Sequence, residues 1–322
     1  MASIGEFELI ARYFTRPARH AVLGVGDDCA LLAPTPGQVL AISSDMLVEG
    51  RHFLSTVPPD RLGHKALAVN LSDLAACGAR PLAYTLALAL PHADDAFLAP
   101  FARGLHALAD AHGCDLIGGD TTRGPLAVCI TVFGEVAAGA ALLRSGARPG
   151  DDIYVSGTLG DARLALEVFR GTLALDADAF AAVREAMERP QPRVALGQAL
   201  CGIASSAIDL SDGLAGDLGH LLSSSGVGAV VVVDALPRSA VLAAQVDDLQ
   251  RECLLGGGDD YELLFTAAPA RAADVAAAAA RSGVVVTRIG RVEVGGGLRL
   301  DEGGRVQDAV SRSFDHFRDG AS

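Results

Sequence analysis

Apolar and polar positions along this chain follow two rhythms. Short runs such as "QVLAISSD" (38–45), "LAYTLALALP" (82–91) and "LAVCITVFGEV" (126–136) are dense in β-branched or alternating apolar residues and read as strands. Between them, "RLGHKALAVNLSDLAACGA" (61–79) places apolar residues at 62, 66, 67, 71, 74 and 75, which is helical spacing. Pro59 and Asp60 start that helix and Gly78 stops it. "DDAFLAPFARGLHALADAHG" (94–113) reads as a second helix, stopped at Gly113, and "CDLIGGD" (114–120) as a short strand entering a glycine turn. The order β-α-β-α-β-β predicts an α+β fold, a sheet with helices on one face.

"RSGARPGDD" (144–152) breaks every pattern and marks a domain boundary, giving 1–147 and 148–322. The second half restarts with the strand "DIYVSG" (152–157). Helical stretches follow near 160–170, 177–188 and 193–202. "SSAIDLSDG" (205–213) is a strand entering a turn, "LAGDLGHLLSSSG" (214–226) a helix and "AVVVVDAL" (229–236) a strand. "GGGDDYELLFTAA" (256–268) is a turn entering a strand, "PARAADVAAAAARSG" (269–283) an Ala-rich helix and "GVVVTRIGRV" (283–292) a strand. With 322 residues and half of them apolar, the chain has material for two cores.

Charge narrows the partners. A net charge of −13 gives no electrostatic footprint for nucleic acid or anionic membranes. The longest apolar segment, 82–90, is about half of what spans a bilayer. The N-terminus shows no basic region followed by an apolar one, so a cytoplasmic protein is expected. The six cysteines form no CxxC pair and sit in apolar runs, as buried free thiols would. Lys65, the only lysine, reads as a snorkelling surface residue, with a phosphate contact as the alternative.

The candidate chemistry is acidic. Asp27 and Asp28 in "GVGDD", Asp45 in "ISSD", Asp120 in "IGGDTT", Asp209 and Asp212 in "IDLSDG", and Asp259 and Asp260 in "GGGDD" all fall where a strand ends or a glycine turn begins. Asp73 lies on a helix, with Asn70 on the same face. Any one of these reads as a turn former or helix cap. Five such sites exceed what capping needs, and gathered carboxylates require a cation. Carboxylates with the hydroxyls of Ser43, Ser44, Thr121 and Ser211 are hard oxygen donors that suit Mg²⁺ or Mn²⁺. Mg²⁺ beside glycine turns points to a polyphosphate ligand. The chain has no GxxxxGK[ST] loop, no HRD/DFG set, no GxSxG and no HExxH. Arg144 reads either as a solvated linker charge or as a bidentate phosphate contact.

The ordered stretches "GEFELIARYF", "GVGDDCALL", "AISSDMLVEGRHF", "KALAVNLSDLAACGARP", "LIGGDTTRGPL", "RSGARPGDDIYVSG", "SSAIDLSDGLAGDLGH", "GGGDDYELLFT" and "FDHF" resemble the thiamine-monophosphate kinases. These belong to the ATP-binding superfamily that includes aminoimidazole ribonucleotide synthetase. The resemblance implies transfer of the ATP γ-phosphoryl to thiamine monophosphate, giving thiamine diphosphate. It implies Mg²⁺ ligands at Asp28, Ser43, Ser44, Asp45, Asp73, Asp120, Asp209 and Asp212. It implies ATP contacts at Gly119, Asp120, Arg144 and Ser211, and thiamine-monophosphate contacts at His52, Asp259 and Phe314. A homodimer built on a barrel of the N-terminal sheets, ATP in a cleft between the domains, and a metal-assisted transfer with no general base are implied as well. The need for a monovalent cation such as K⁺ stays open. Asp259 stands where Glu is common in the family, and Phe314 where Tyr or Trp is also usual. Sister activities of the superfamily (ribonucleotide ring closure, selenide activation) and a non-catalytic Mg-nucleotide sensor are the rivals. Selenide activation wants a reactive Cys near the N-terminus, and Cys29 beside "ALL" reads as buried.

Overall fold

The computed structural model describes residues 5–309, and they divide into two compact units. One takes the chain up to Leu74 and then Ala79–Gly139; the other takes Ala75–Gly78 and the chain from Ala140 onward.

The first unit opens with α1 (Glu6–Leu9), which continues as a π-turn over Ile10–Phe14, then the short β1 (Ala21–Leu23) and β2 (Leu31–Leu32). β3 (Gln38–Val48), α2 (Pro59–Ala76), β4 (Arg80–Leu90), α3 (Asp95–His112), β5 (Asp115–Arg123) and β6 (Ala127–Ala137) follow, in the β-α-β-α-β-β order expected. The strands form one sheet in the order β3-β6-β4-β5, antiparallel except for β4 with β5. The helices form where the punctuation put them. Asp94 caps α3 by accepting the Ala96 amide, and Gly113 ends it in a left-handed conformation. Leu62, Leu67, Leu71 and Leu74 of α2 and Leu98, Phe101 and Leu105 of α3 are buried, as are Leu88 of β4 and Ile130 and Val132 of β6. A second, small cluster of Leu82, Ala83 and Ile117 is covered by Phe133 and by Ala18, Ala21, Ala30 and Leu32 of the N-terminal segment. β3 runs three residues past Asp45, and β5 is a nine-residue strand and not a short one.

The second unit contains β7 (Asp152–Ser156), α4 (Asp161–Phe169), α5 (Ala177–Glu188), α6 (Val194–Leu200), β8 (Ser206–Asp209), α7 (Leu214–Ser225) and β9 (Gly228–Val232). It continues with α8 (Ala240–Ala243), α9 (Asp247–Gly256), β10 (Leu263–Ala267), α10 (Ala272–Ser282), β11 (Val286–Glu293), β12 (Gly297–Glu302) and β13 (Arg305–Asp308). Its seven strands are ordered β13-β12-β9-β11-β7-β10-β8, with β12 parallel to β9 and the other pairs antiparallel. Ile153, Val155, Leu164, Leu218, Val231, Leu264 and Ile289 share one buried core. The pattern reading did not anticipate α9 or the β12–β13 hairpin. The acidic first turn of α9 and the paired glycines around β12 were the available signals.

Two burial expectations fail. Lys65 is 2% exposed, because it lies on the inward side of α2 and its Nζ donates to the His52 carbonyl at 3.3 Å. Cys29 is exposed, because the "ALL" that follows it forms only a two-residue strand; all six thiols are free, but only Cys114 and Cys253 are buried. Among the described residues no helix is long and apolar enough to cross a membrane.

Candidate functional site

Alternation along β3 sends successive side chains to opposite faces of the first sheet. Ser43 points to the helix side, where its Oγ donates to Asp73 Oδ2 of α2 at 2.5 Å. The Asp45 amide donates to Asn70 Oδ1 at 3.1 Å, one turn earlier on the same helix, and Asn70 Nδ2 donates to the Ala66 carbonyl at 3.0 Å. Ser44 points the other way, to Thr131 Oγ1 at 2.9 Å and the Ile130 carbonyl at 3.2 Å on β6. His52 follows the strand; its Nδ1 accepts the Val48 amide at 3.0 Å, which places the ring proton of the neutral form on Nε2.

Asp28 and Asp120 line one cavity on the open side. A cavity of about 740 Å³ is lined by Asp27, Asp28, Gly118, Gly119, Asp120, Thr85 and Thr121, with Phe7, Ile10 and Ile117 as apolar wall. Gly119 has φ +145°, and a Cβ there would stand 1.9 Å from the Leu86 carbonyl, so only glycine lets β5 lie against β4 at this point. The Asp27 carboxylate accepts the Asp28 amide at 2.8 Å, which shapes the glycine turn, and both residues line the cavity.

In the second unit, Asp209 ends β8 and is buried. The turn beyond it is held from inside. Asp217, 3% exposed in the first turn of α7, accepts the Ser211 amide at 3.1 Å and the Asp212 amide at 3.0 Å on the same oxygen. Burial pushes its carboxyl up to about 7, against those two hydrogen bonds and the pull of Arg144. The Asp259 amide donates to the Ser211 carbonyl at 2.9 Å, and the Tyr261 amide to the Leu210 carbonyl at 2.8 Å. Asp259 (φ 67°) and Tyr261 (φ 50°) are the non-glycine residues with left-handed backbone among those described. Asp is one of the few side chains that tolerate this region. Between them, Asp260 accepts the Gly160 amide at the start of α4 at 2.9 Å, while its buried Oδ2 has no hydrogen-bond partner. Burial holds that carboxyl well above the usual range, with Glu262, Asp161 and Asp259 adding to the effect. Arg144 is exposed, and its carbonyl accepts Ser225 Oγ at 3.0 Å. Phe314 lies outside the described residues.

The structure thus brings together Asp28 with Asp120, Ser43 with Asp73, and Ser211 and Asp212 with Asp259. It sets the first two pairs on opposite faces of the first sheet. Among the described residues no three His, Cys, Asp or Glu side chains converge as a metal-binding group. The donors that do pair are all carboxylate and hydroxyl oxygens, which fits Mg²⁺ in kind. Asp217 escaped the sequence reading; the signal was an Asp five residues after Asp212, at the start of an apolar helix.

This architecture falls in a defined class. Residues 26–136 match the family described as AIR synthase related protein, N-terminal domain, and residues 148–302 match its C-terminal domain. A thiamine-monophosphate kinase from Salmonella typhimurium is 48% identical over 320 residues, covering 97% of this chain and 98% of that protein. The crystal structure of thiamine-monophosphate kinase from Stenotrophomonas maltophilia superimposes with a TM-score of 0.84 at 45% identity, covering 92% of this chain and 95% of that one. A structure described as AaThiL complexed with AMPPCP and TMP matches at 30% identity with a TM-score of 0.78, covering 88% and 89%. The chain belongs, within the AIR synthase-related class, to the thiamine-monophosphate kinase family.

Proposed function

We propose that this chain transfers the γ-phosphoryl group of ATP to the phosphate of thiamine monophosphate, forming thiamine diphosphate. The full-length match to kinases of this activity carries the reading. The structure supports it: the turn bearing Ser211 and Asp212 and the loop bearing Asp259 are one hydrogen-bonded unit.

The acceptor is a phosphate oxygen already ionised at neutral pH, so no residue needs to remove a proton. The obstacle is the approach of two anions, worth several kcal/mol in a poorly screened site. Bound Mg²⁺ supplies the opposing charge. Asp28, Ser43, Ser44, Asp45, Asp73, Asp120, Asp209 and Asp212 would hold several such ions, since Ser43 and Asp73 lie on the opposite face of the first sheet from Asp28 and Asp120. Gly119, whose lack of a Cβ keeps β5 against β4, sits beside the nucleotide, Asp120 and Ser211 position it, and Arg144 offers a bidentate phosphate contact. His52, Asp259 and Phe314 orient thiamine monophosphate.

In this reading residues 1–147 serve ATP, Mg²⁺ and dimer contacts, and 148–322 complete the site. A homodimer fits the open face of the first sheet, where the edge strand β3 leaves Ile42 59% and Met46 55% exposed. A cytoplasmic setting fits six free thiols.

A coupled ADP-release assay tests the function. ADP formation that requires both Mg²⁺ and thiamine monophosphate is expected. ADP release without thiamine monophosphate, or nucleotide binding with no turnover, would overturn it.

A further inference from the structure

The start of a helix offers unpaired backbone N–H groups and a positive dipole end, and such turns ordinarily hold phosphate. In the turn before α7, two amides that precede the Gly213 cap are already taken by the chain. The Ser211 and Asp212 amides both donate to Asp217 Oδ2, at 3.1 and 3.0 Å. Asp217 is itself anchored, since its amide donates to the Gly213 carbonyl at 3.0 Å and its side chain is 3% exposed. The anion that would fill this nest is therefore supplied by the chain. Ser211 and Asp212 remain half-buried, outside the carboxylate that holds their backbone.

We propose that Asp217 is a positioning residue for the phosphoryl-transfer site: it occupies the backbone N–H groups of the Ser211–Asp212 turn and so fixes that turn for a Mg²⁺-bound nucleotide. From Ser211 and Asp212 the nucleotide is then met by the hydroxyl and the carboxylate, not by their own main-chain amides. This rests on the kinase reading above. The turn also carries, through the Ser211 carbonyl, the amide of Asp259. A turn that loses its inner anchor relaxes first at its two freed amides.

The test compares Asp217→Ala, Asp217→Glu and Asp217→Asn with the parent. Asn keeps an acceptor at the same distance from the backbone; Glu keeps the charge but moves it by one methylene; Ala removes both. Three quantities are read: the KM for ATP and for thiamine monophosphate, the calorimetric Kd of Mg-AMPPCP, and the Tm. Asp217→Ala and Asp217→Glu are expected to raise the ATP KM and the Mg-AMPPCP Kd by roughly tenfold or more, and the thiamine-monophosphate KM by less than either, since the Asp259 amide meets the turn only through the Ser211 carbonyl. Asp217→Asn is expected to restore the ATP constants to within about threefold. A folded Ala or Glu variant with parental ATP constants overturns the proposal, as does an Asn variant as impaired as Ala. A merely structural role would lower Tm and the active fraction while leaving both KM values alone. If Asp217→Ala does not fold, the Glu and Asn variants decide. If the parent shows no thiamine-monophosphate-dependent ADP release, the kinase reading fails, and the Mg-AMPPCP Kd still decides the positioning role.

Discussion

The amide of Asp259 donates to the carbonyl of Ser211 at 2.9 Å. A backbone bond of this kind admits no side-chain slack, so the loop assigned to thiamine monophosphate and the turn assigned to the nucleotide keep one relative placement. Gly258, just before Asp259, makes the approach possible: a Cβ there would lie 2.5 Å from the Ser211 carbonyl. Gly258→Ala is expected to cost about 1–3 kcal/mol of stability, the usual range for overpacking. It should also lower turnover more than its Tm loss explains. Denaturant melts beside steady-state kinetics check this; parental turnover would show that the two loops work independently.

Asp28 and Asp120 are exposed, whereas Asp73 accepts the Ser43 hydroxyl. Asp28→Ala and Asp120→Ala are expected to reduce turnover roughly a hundredfold or more, since metal charge stabilisation is worth several kcal/mol. Their stability should stay within about 0.5 kcal/mol of the parent. Asp73→Ala is expected to lose turnover and about 1–2 kcal/mol of stability as well. Turnover near the parental rate at ordinary Mg²⁺ removes the residue concerned from the metal set.

Asp260 sets a pH dependence of stability. Its buried carboxyl, facing Glu262, Asp161 and Asp259, stays protonated well above the ordinary range, while in the unfolded chain it ionises near 3.9. Above that pH the unfolded state binds fewer protons, so stability falls as pH rises toward the native pKa. Asp260→Asn keeps the acceptor for the Gly160 amide and has no proton to lose. Its Tm advantage over the parent is expected to widen between pH 5 and pH 8. A difference that does not change across that range would show the carboxyl to be ionised in the native state.

Ile42 and Met46 lie on the same face of an edge strand and are mostly exposed. The double substitution Ile42→Asp, Met46→Asp is expected to turn a dimer into a monomer with unchanged circular dichroism. Light scattering reads the mass; a parent that is already monomeric, or a variant that still pairs, excludes this face.

The sequence by itself determined most of the elements and their order; α9 and the β12–β13 hairpin escaped it. Helix ends at Gly113, Gly226 and Gly283 adopt the left-handed caps that glycine permits, and those rules are local. It also marked the candidate acidic positions, because glycine turns and strand ends punctuated by Asp are visible one residue at a time. Tertiary structure decided which of these residues meet. Periodicity says that Ser43 and Ser44 face opposite ways, but only packing of α2 on the sheet makes Ser43 the partner of Asp73 and leaves Asp28 and Asp120 to share a cavity on the other side. Only the fold brings α4 to the buried carboxyl of Asp260, one hundred residues along the chain. Only the wrapping of the turn onto α7 makes Asp217 its anchor. Such contacts depend on which face is covered and by what. A linear pattern records the period of an element, not its neighbour.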